Sequence, residues 1–286
     1  MKQEDPEVLP KGTTRAGGQG IRVVITGKVG VGKTTLAALL AILFSQEGKK
    51  VLAIDGDPRH NLAAALGMPK PRADEIVPVE ENSGHPRKKG EGIPPGRTAP
   101  ISDLRDIVRR FSIPAGHNIR LLVLGNTQEI CDGCLCADYT LLAAILGQMR
   151  SAEEEVIILN TPEGLEHFGN AVSEGLTCAV VVTEYSFNAV SVARKSAVLA
   201  RQLGIGNVIL VINRALDETG IRNVCGSDSG VTEFSQTITL PLEPVINPED
   251  PEVRHLMDTD TTFLQGVRTL ASAIAGRCES WAPPSR

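Results

Sequence analysis

An α/β fold, with a mostly parallel sheet sandwiched by helices on both faces, is predicted by three observations. Short β-rich apolar runs alternate with longer helix-like stretches over most of the chain. The runs are mostly apolar along their length instead of at every second residue, the pattern of strands buried on both faces. The length, 286 residues, is enough for one substantial core. The expected organisation is a single domain over residues 20–278, preceded by an arm over 1–19 and followed by a tail over 279–286.

Each element has its own justification. Residues 1–19 set Gly12, Gly17 and Gly18 among charged residues and prolines, bury little apolar surface and read as a flexible arm. Ile21-Arg22-Val23-Val24-Ile25 is a strand, and Leu36 to Leu43 is a helix stopped by Gly48. Val51-Leu52-Ala53-Ile54 is too short and too β-rich for a helix, so it reads as a second buried strand ending in Asp55-Gly56-Asp57-Pro58. Residues 68–100 are crowded with Pro, Gly and charge and form a long excursion from the core. Helix 102–111, strand 119–124, helix 138–150, strands 155–160 and 178–183, helix 187–203 and strand 207–212 follow. Such alternation puts ligand-binding loops at the strand C-terminal ends.

Composition excludes several roles. A net charge of −5, with Arg87-Lys88-Lys89 the one locally basic cluster, argues against a nucleic-acid partner. No apolar stretch reaches the roughly 18 residues of a membrane span, and Met1-Lys2-Gln3-Glu4-Asp5-Pro6 lacks a signal peptide's apolar centre, so no membrane partner and a cytoplasmic location are expected. In that reducing setting the six cysteines do not read as a disulfide framework.

Gly27 to Thr35 read G-K-V-G-V-G-K-T-T between the first strand and the first helix. This is a P-loop. Gly27, Gly30, Val31 and Gly32 let the backbone wrap the phosphates of ATP, Lys33 reaches the outer oxygens, the Thr34 hydroxyl faces Mg2+, and Thr35 opens the helix. Asp55 and Asp57 close a buried strand on the same edge, where carboxylates reach a bound Mg2+ and an attacking water; Asp57 before Pro58 also suits a helix N-cap. Cys131-Asp132-Gly133-Cys134-Leu135-Cys136 crowds three thiols between a strand and a helix. Two chains meeting face to face offer four thiolates from C-x-C, a set suited to Zn2+ and adaptable to Ni2+; inert loop cysteines are the alternative.

With Lys28, the loop resembles the deviant Walker A sequence G-K-G-G-x-G-K-[ST]-T of the MinD/ParA-like ATPases, the class of septum-site, plasmid-partition, arsenite-efflux and nitrogenase iron-protein ATPases. The resemblance implies a homodimer in which Lys28 crosses to the partner's nucleotide and acts in catalysis beside Lys33. Val29 stands where the class has glycine. At a positive-φ position it would strain the loop by about 1–3 kcal/mol. Asp57, in a segment similar to the class's switch I, is implied to orient or deprotonate the hydrolytic water.

Asn160-Thr161-Pro162-Glu163-Gly164-Leu165-Glu166-His167-Phe168-Gly169 occupies the switch II position, with Asn160 replacing the usual aspartate near Mg2+. A neutral amide gives up charge that favours the cation, so slow hydrolysis is expected. The resemblance also implies that Asn213 pairs with the adenine edge, that Arg214 beside it is a further nucleotide-binding residue, and that the Thr239-Leu240-Pro241-Leu242 loop packs on the adenine face. The ordered set of motifs, with G-x-C-x-C and E-H-F-G, is most similar to CooC-type ATPases, the accessory proteins that insert nickel into carbon monoxide dehydrogenase. That likeness implies a metallochaperone holding Ni2+ or Zn2+ through Cys134 and Cys136 of each chain; Cys131 is additional to the family pair and is a candidate third ligand. The alternatives are a nucleotide-dependent dimer switch or metal carrier with little ATPase activity, and a MinD/ParA-type positioning ATPase.

Overall fold

A computed structural model describes residues 20–57, 59–69, 76, 108, 109, 111–124, 142, 146, 155–162, 164, 165, 175–215, 233–247 and 250–278. Eight strands form one sheet: β1 Ile21–Gly27, β2 Lys50–Asp55, β3 Ile113–Gly116, β4 Ile119–Val123, β5 Glu155–Asn160, β6 Cys178–Thr183, β7 Asn207–Ala215 and β8 Gln236–Pro241. Their order is β3-β4-β2-β5-β1-β6-β7-β8. Every neighbouring pair is parallel except β3 with β4, a short antiparallel edge hairpin that the sequence pattern does not announce.

Side-chain alternation divides the core into two layers. Val23 and Ile25 of β1 face the layer built with α1 Lys33–Gln46, α2 Leu62–Ala65, a 3₁₀ turn over Arg254–Asp258 and α4 Thr262–Cys278. Val24 faces the other layer, which contains Leu142, Leu146 and α3 Phe187–Gln202. β1 is buried along its whole length because it lies mid-sheet with helices above and below. That position gives its C-terminal turn a rigid support.

Strands 155–160 and 178–183 coincide with the sequence expectation, and the first helix starts at Lys33, ahead of the apolar stretch. Strand 207–212 continues to Ala215, so Asn213 and Arg214 belong to the strand itself. Pro241 requires a correction. It is not in a loop but ends β8, paired with Ala215, because Ile238 and Leu240 alternate inward on an edge strand. Helix α4 was missed although Phe263, Leu264, Val267, Leu270, Ala271 and Ile274, all buried, recur with helical period. Of helices 102–111 and 138–150, Val108, Arg109, Phe111, Leu142 and Leu146 are described and helical. The arm, the tail and nearly all of 68–100 lie outside the described residues.

Among the described residues, no helix is long and apolar enough to cross a membrane.

Candidate functional site

The turn between β1 and α1 has three glycines at positive φ: Gly27 at 137°, Gly30 at 87° and Gly32 at 99°. Two of them are needed twice over. A Cβ on Gly27 would run into the Val182 carbonyl of β6, and one on Gly32 would occupy the space of the Asn213 amide. Val29 does not adopt a left-handed backbone and is 42% exposed. The strain expected from a β-branched residue there does not arise, because Gly30 and Gly32 take the turn's positive φ angles.

Side chains brace this loop from inside and outside. Lys33, buried at the first position of α1, donates from Nζ to the carbonyls of Gly27 and Lys28, each at 2.9 Å. Its ammonium is thereby held inside the turn. Asn213 Nδ2 donates to the Val31 carbonyl at 2.8 Å, and Arg214 Nη1 to the Gly30 carbonyl at 3.1 Å. These two donors are aimed by an irregularity in the β7–β8 ladder between Ile212 and Ala215, where Arg214 takes a left-handed φ of 55°. Arg214 also pairs with Glu184 Oε2, 3.5 Å away at the end of β6, a partner the sequence reading missed. Its signal was position: Glu184 directly follows a buried strand on the loop-bearing edge.

The neighbouring strands deliver the polar centre. Asp55 and Asn160 are paired residues of β2 and β5, both fully buried. Asn160 Nδ2 donates to Asp55 Oδ1 at 3.1 Å and lies 3.4 Å from Thr34 Oγ1, so the three residues expected around Mg2+ come together. Asn160 Oδ1 is buried without a hydrogen-bond partner, an acceptor left for a cation or its water. The donor set is all oxygen, as Mg2+ requires.

Asp55 also fastens switch I. It accepts from the Asp57 backbone N–H at 3.1 Å and from that of Leu62 at 3.0 Å. Asp57 is half-buried and does not cap α2; its Oδ1 accepts from the Arg59 N–H in a tight turn, and Asn61 holds the N-cap position instead. Next to it His60 is left-handed at φ 50°.

Burial pushes the Asp55 carboxyl up to about 6, against the hydrogen bonds from Leu62, Asn160 and Asp57 that favour its charge. Because the folded value lies above the unfolded one near 3.8, the folded state holds the extra proton between them. Stability from this group is therefore present below that window and is lost as pH rises to about 6. In the metal-free protein the loss is about 3 kcal/mol. Denaturant unfolding in a chelator should show the wild type losing that much relative to Asp55→Asn between pH 4 and 7; a constant difference would contradict it.

Cys131, Cys134 and Cys136 lie outside the described residues, as do Glu163, Glu166 and His167. Among the described residues no group of three His, Cys, Asp or Glu side chains is placed to hold a metal ion.

Residues 22–242 match the family described as the CobQ/CobB/MinD/ParA nucleotide binding domain. The chain belongs to this family. It is a P-loop ATPase by that membership. It is 32% identical over 259 residues to the carbon monoxide dehydrogenase accessory protein CooC of Rhodospirillum rubrum, covering 90% of this chain and 97% of that one. An uncharacterized ATP-binding protein of Methanocaldococcus jannaschii is 33% identical over 202 residues, 69% of this chain and 76% of its own. The MinD cell division protein of Aquifex aeolicus shares the fold with a TM-score of 0.62 at 20% identity, over 93% of this chain and all of its own.

Proposed function

We infer that this ATPase works as a nucleotide-dependent dimer switch. The observation that carries the reading is the second lysine: Lys28 lies on the partly exposed outer limb of the P-loop while Lys33 is buried inside it. The two lysines therefore differ in what they can reach. Lys33 serves the bound ATP, and Lys28 is free to reach a nucleotide on a second copy.

The chain's own residues divide the work. The P-loop N–H groups of Gly30 to Thr35 bind the phosphates, and Asn213, whose Nδ2 is committed to Val31, offers its carbonyl oxygen to the adenine amino group. Thr34, Asp55 and Asn160 hold Mg2+ or its waters, which neutralises charge on the phosphates. Asp57 accepts the proton of the hydrolytic water, within reach of the site because Asp55 ties its backbone to the sheet edge. With Asn160 lending no charge, hydrolysis is slow and the ATP-bound dimer long-lived.

Light scattering with and without Mg·ATP tests this. Mass should double with ATP in the wild type and stay monomeric in Lys28→Ala. Unchanged mass in the wild type, or a doubling that survives in Lys28→Ala, would overturn the switch.

A second reading adds a cargo. The similarity to CooC runs over 97% of that protein's length, and the sequence carries C-x-C at Cys134 and Cys136 with Cys131 nearby. On this reading the dimer carries Ni2+ or Zn2+ between paired thiolates in the cytoplasm and delivers nickel to an enzyme such as carbon monoxide dehydrogenase. Reduced protein should bind about half an equivalent of metal per chain, lost in Cys134→Ser/Cys136→Ser. Equal binding by that variant would reduce the protein to the switch alone.

A further inference from the structure

Two of the three braces on the P-loop act on its outer limb, Lys28 to Gly30, and they are not equivalent. This limb has almost no packing to hold it. Val29 is 42% exposed, and a Cβ built on Gly30 would meet nothing within 4 Å. A glycine at φ 87° with open space around it moves freely unless hydrogen bonds fix it. Lys33 supplies one bond, to the Lys28 carbonyl. The outer phosphate oxygens compete for that same ammonium, so this tether is drawn away when nucleotide binds. Arg214 supplies the other, to the Gly30 carbonyl, from outside the turn and with no competing phosphate assigned to it.

Arg214 is held for this task by two features. Its backbone is left-handed at φ 55°, an arrangement that costs free energy in a non-glycine residue and is kept where the surroundings demand it. Its guanidinium lies 3.5 Å from Glu184 Oε2, which restrains a side chain otherwise 47% exposed. We propose that Arg214, restrained by Glu184, is a positioning residue that fixes the outer limb of the P-loop so that Lys28 points at the nucleotide of a second copy of this chain. The proposal rests on the dimer-switch reading. It assigns to Arg214 a role that acts through Gly30 and Lys28 and not through its own protomer's ATP.

The test compares the ATP affinity of each variant with its dimer dissociation constant in saturating Mg·ATP, by fluorescent-nucleotide titration and sedimentation. Arg214→Ala should weaken the dimer about tenfold or more, the scale of one lost charge-assisted hydrogen bond, and by a clearly larger factor than it weakens ATP binding. Arg214→Lys, which keeps one donor for the Gly30 carbonyl, should recover most of the dimer. Glu184→Gln should fall between the wild type and Arg214→Ala. Equal losses of dimer and ATP affinity in Arg214→Ala would make it a nucleotide ligand or a fold residue and overturn the proposal. Wild-type dimerisation by Arg214→Ala, with Lys28→Ala monomeric, would sink the proposal alone. Wild-type dimerisation by Lys28→Ala would remove the dimer-switch reading and this proposal together.

Discussion

Lys33→Ala is expected to lower ATP affinity at least about 100-fold, because the substitution removes the cation held inside the turn and the donor shared by two of its carbonyls. Hydrogen bonds to charged groups contribute about 1.5–3 kcal/mol each, and a phosphate tail engages more than one. The carbonyls of Gly27 and Lys28 also lose their partner, so the turn loosens as well as losing charge. Isothermal titration with Mg·ATP reads the change, and circular dichroism checks that α1 is intact. Affinity within a few-fold of the wild type would mean that nucleotide does not occupy this turn.

Asp57→Asn is expected to lower kcat for ATP hydrolysis by about 100-fold or more, the range over which positioned general bases act. ATP affinity should fall far less. The split follows from where the residue sits: its backbone N–H is tied to Asp55 and its carbonyl accepts from His60, so the loop keeps its course when the carboxylate becomes an amide. The Arg59 N–H still finds an oxygen at this position. Phosphate-release kinetics at saturating ATP, set against binding, separates the outcomes. An unchanged kcat would confine Asp57 to the turn with Arg59 and require another group to activate water.

What the sequence made legible is tied to backbone chemistry. Gly27 to Thr35 declared strand, turn and helix in nine residues, since only a glycine-rich turn at a strand end allows the backbone N–H groups to converge. Asp55 and Asn160 were placed together because strand ends in a parallel sheet share an edge. The pairing between them was not legible. Asn160 was read as an aspartate that had lost its charge, whereas the structure shows its amide donating to a buried carboxylate that a second aspartate would repel. Asn213 was likewise read for adenine alone, and its bond to Val31 depends on a bend in β7 that no periodicity reveals. Val29 was read as strain because the family pattern has glycine there, yet φ at a single loop residue is set by its neighbours. The edge strands β3 and β8 escaped for another reason: each is half-exposed, so its apolar signal is weak.

Amide hydrogen exchange with and without Mg·ATP tests the central claim most directly, because it reports where nucleotide acts along the chain. Exchange should slow at Gly27 to Thr34, at Asp57 to Leu62 and at Asn213 to Arg214, the three segments that the braced turn, switch I and the end of β7 bring to one edge of the sheet. Unaltered exchange in the turn, at ATP concentrations that saturate binding, would place the nucleotide elsewhere and contradict the site assigned to it.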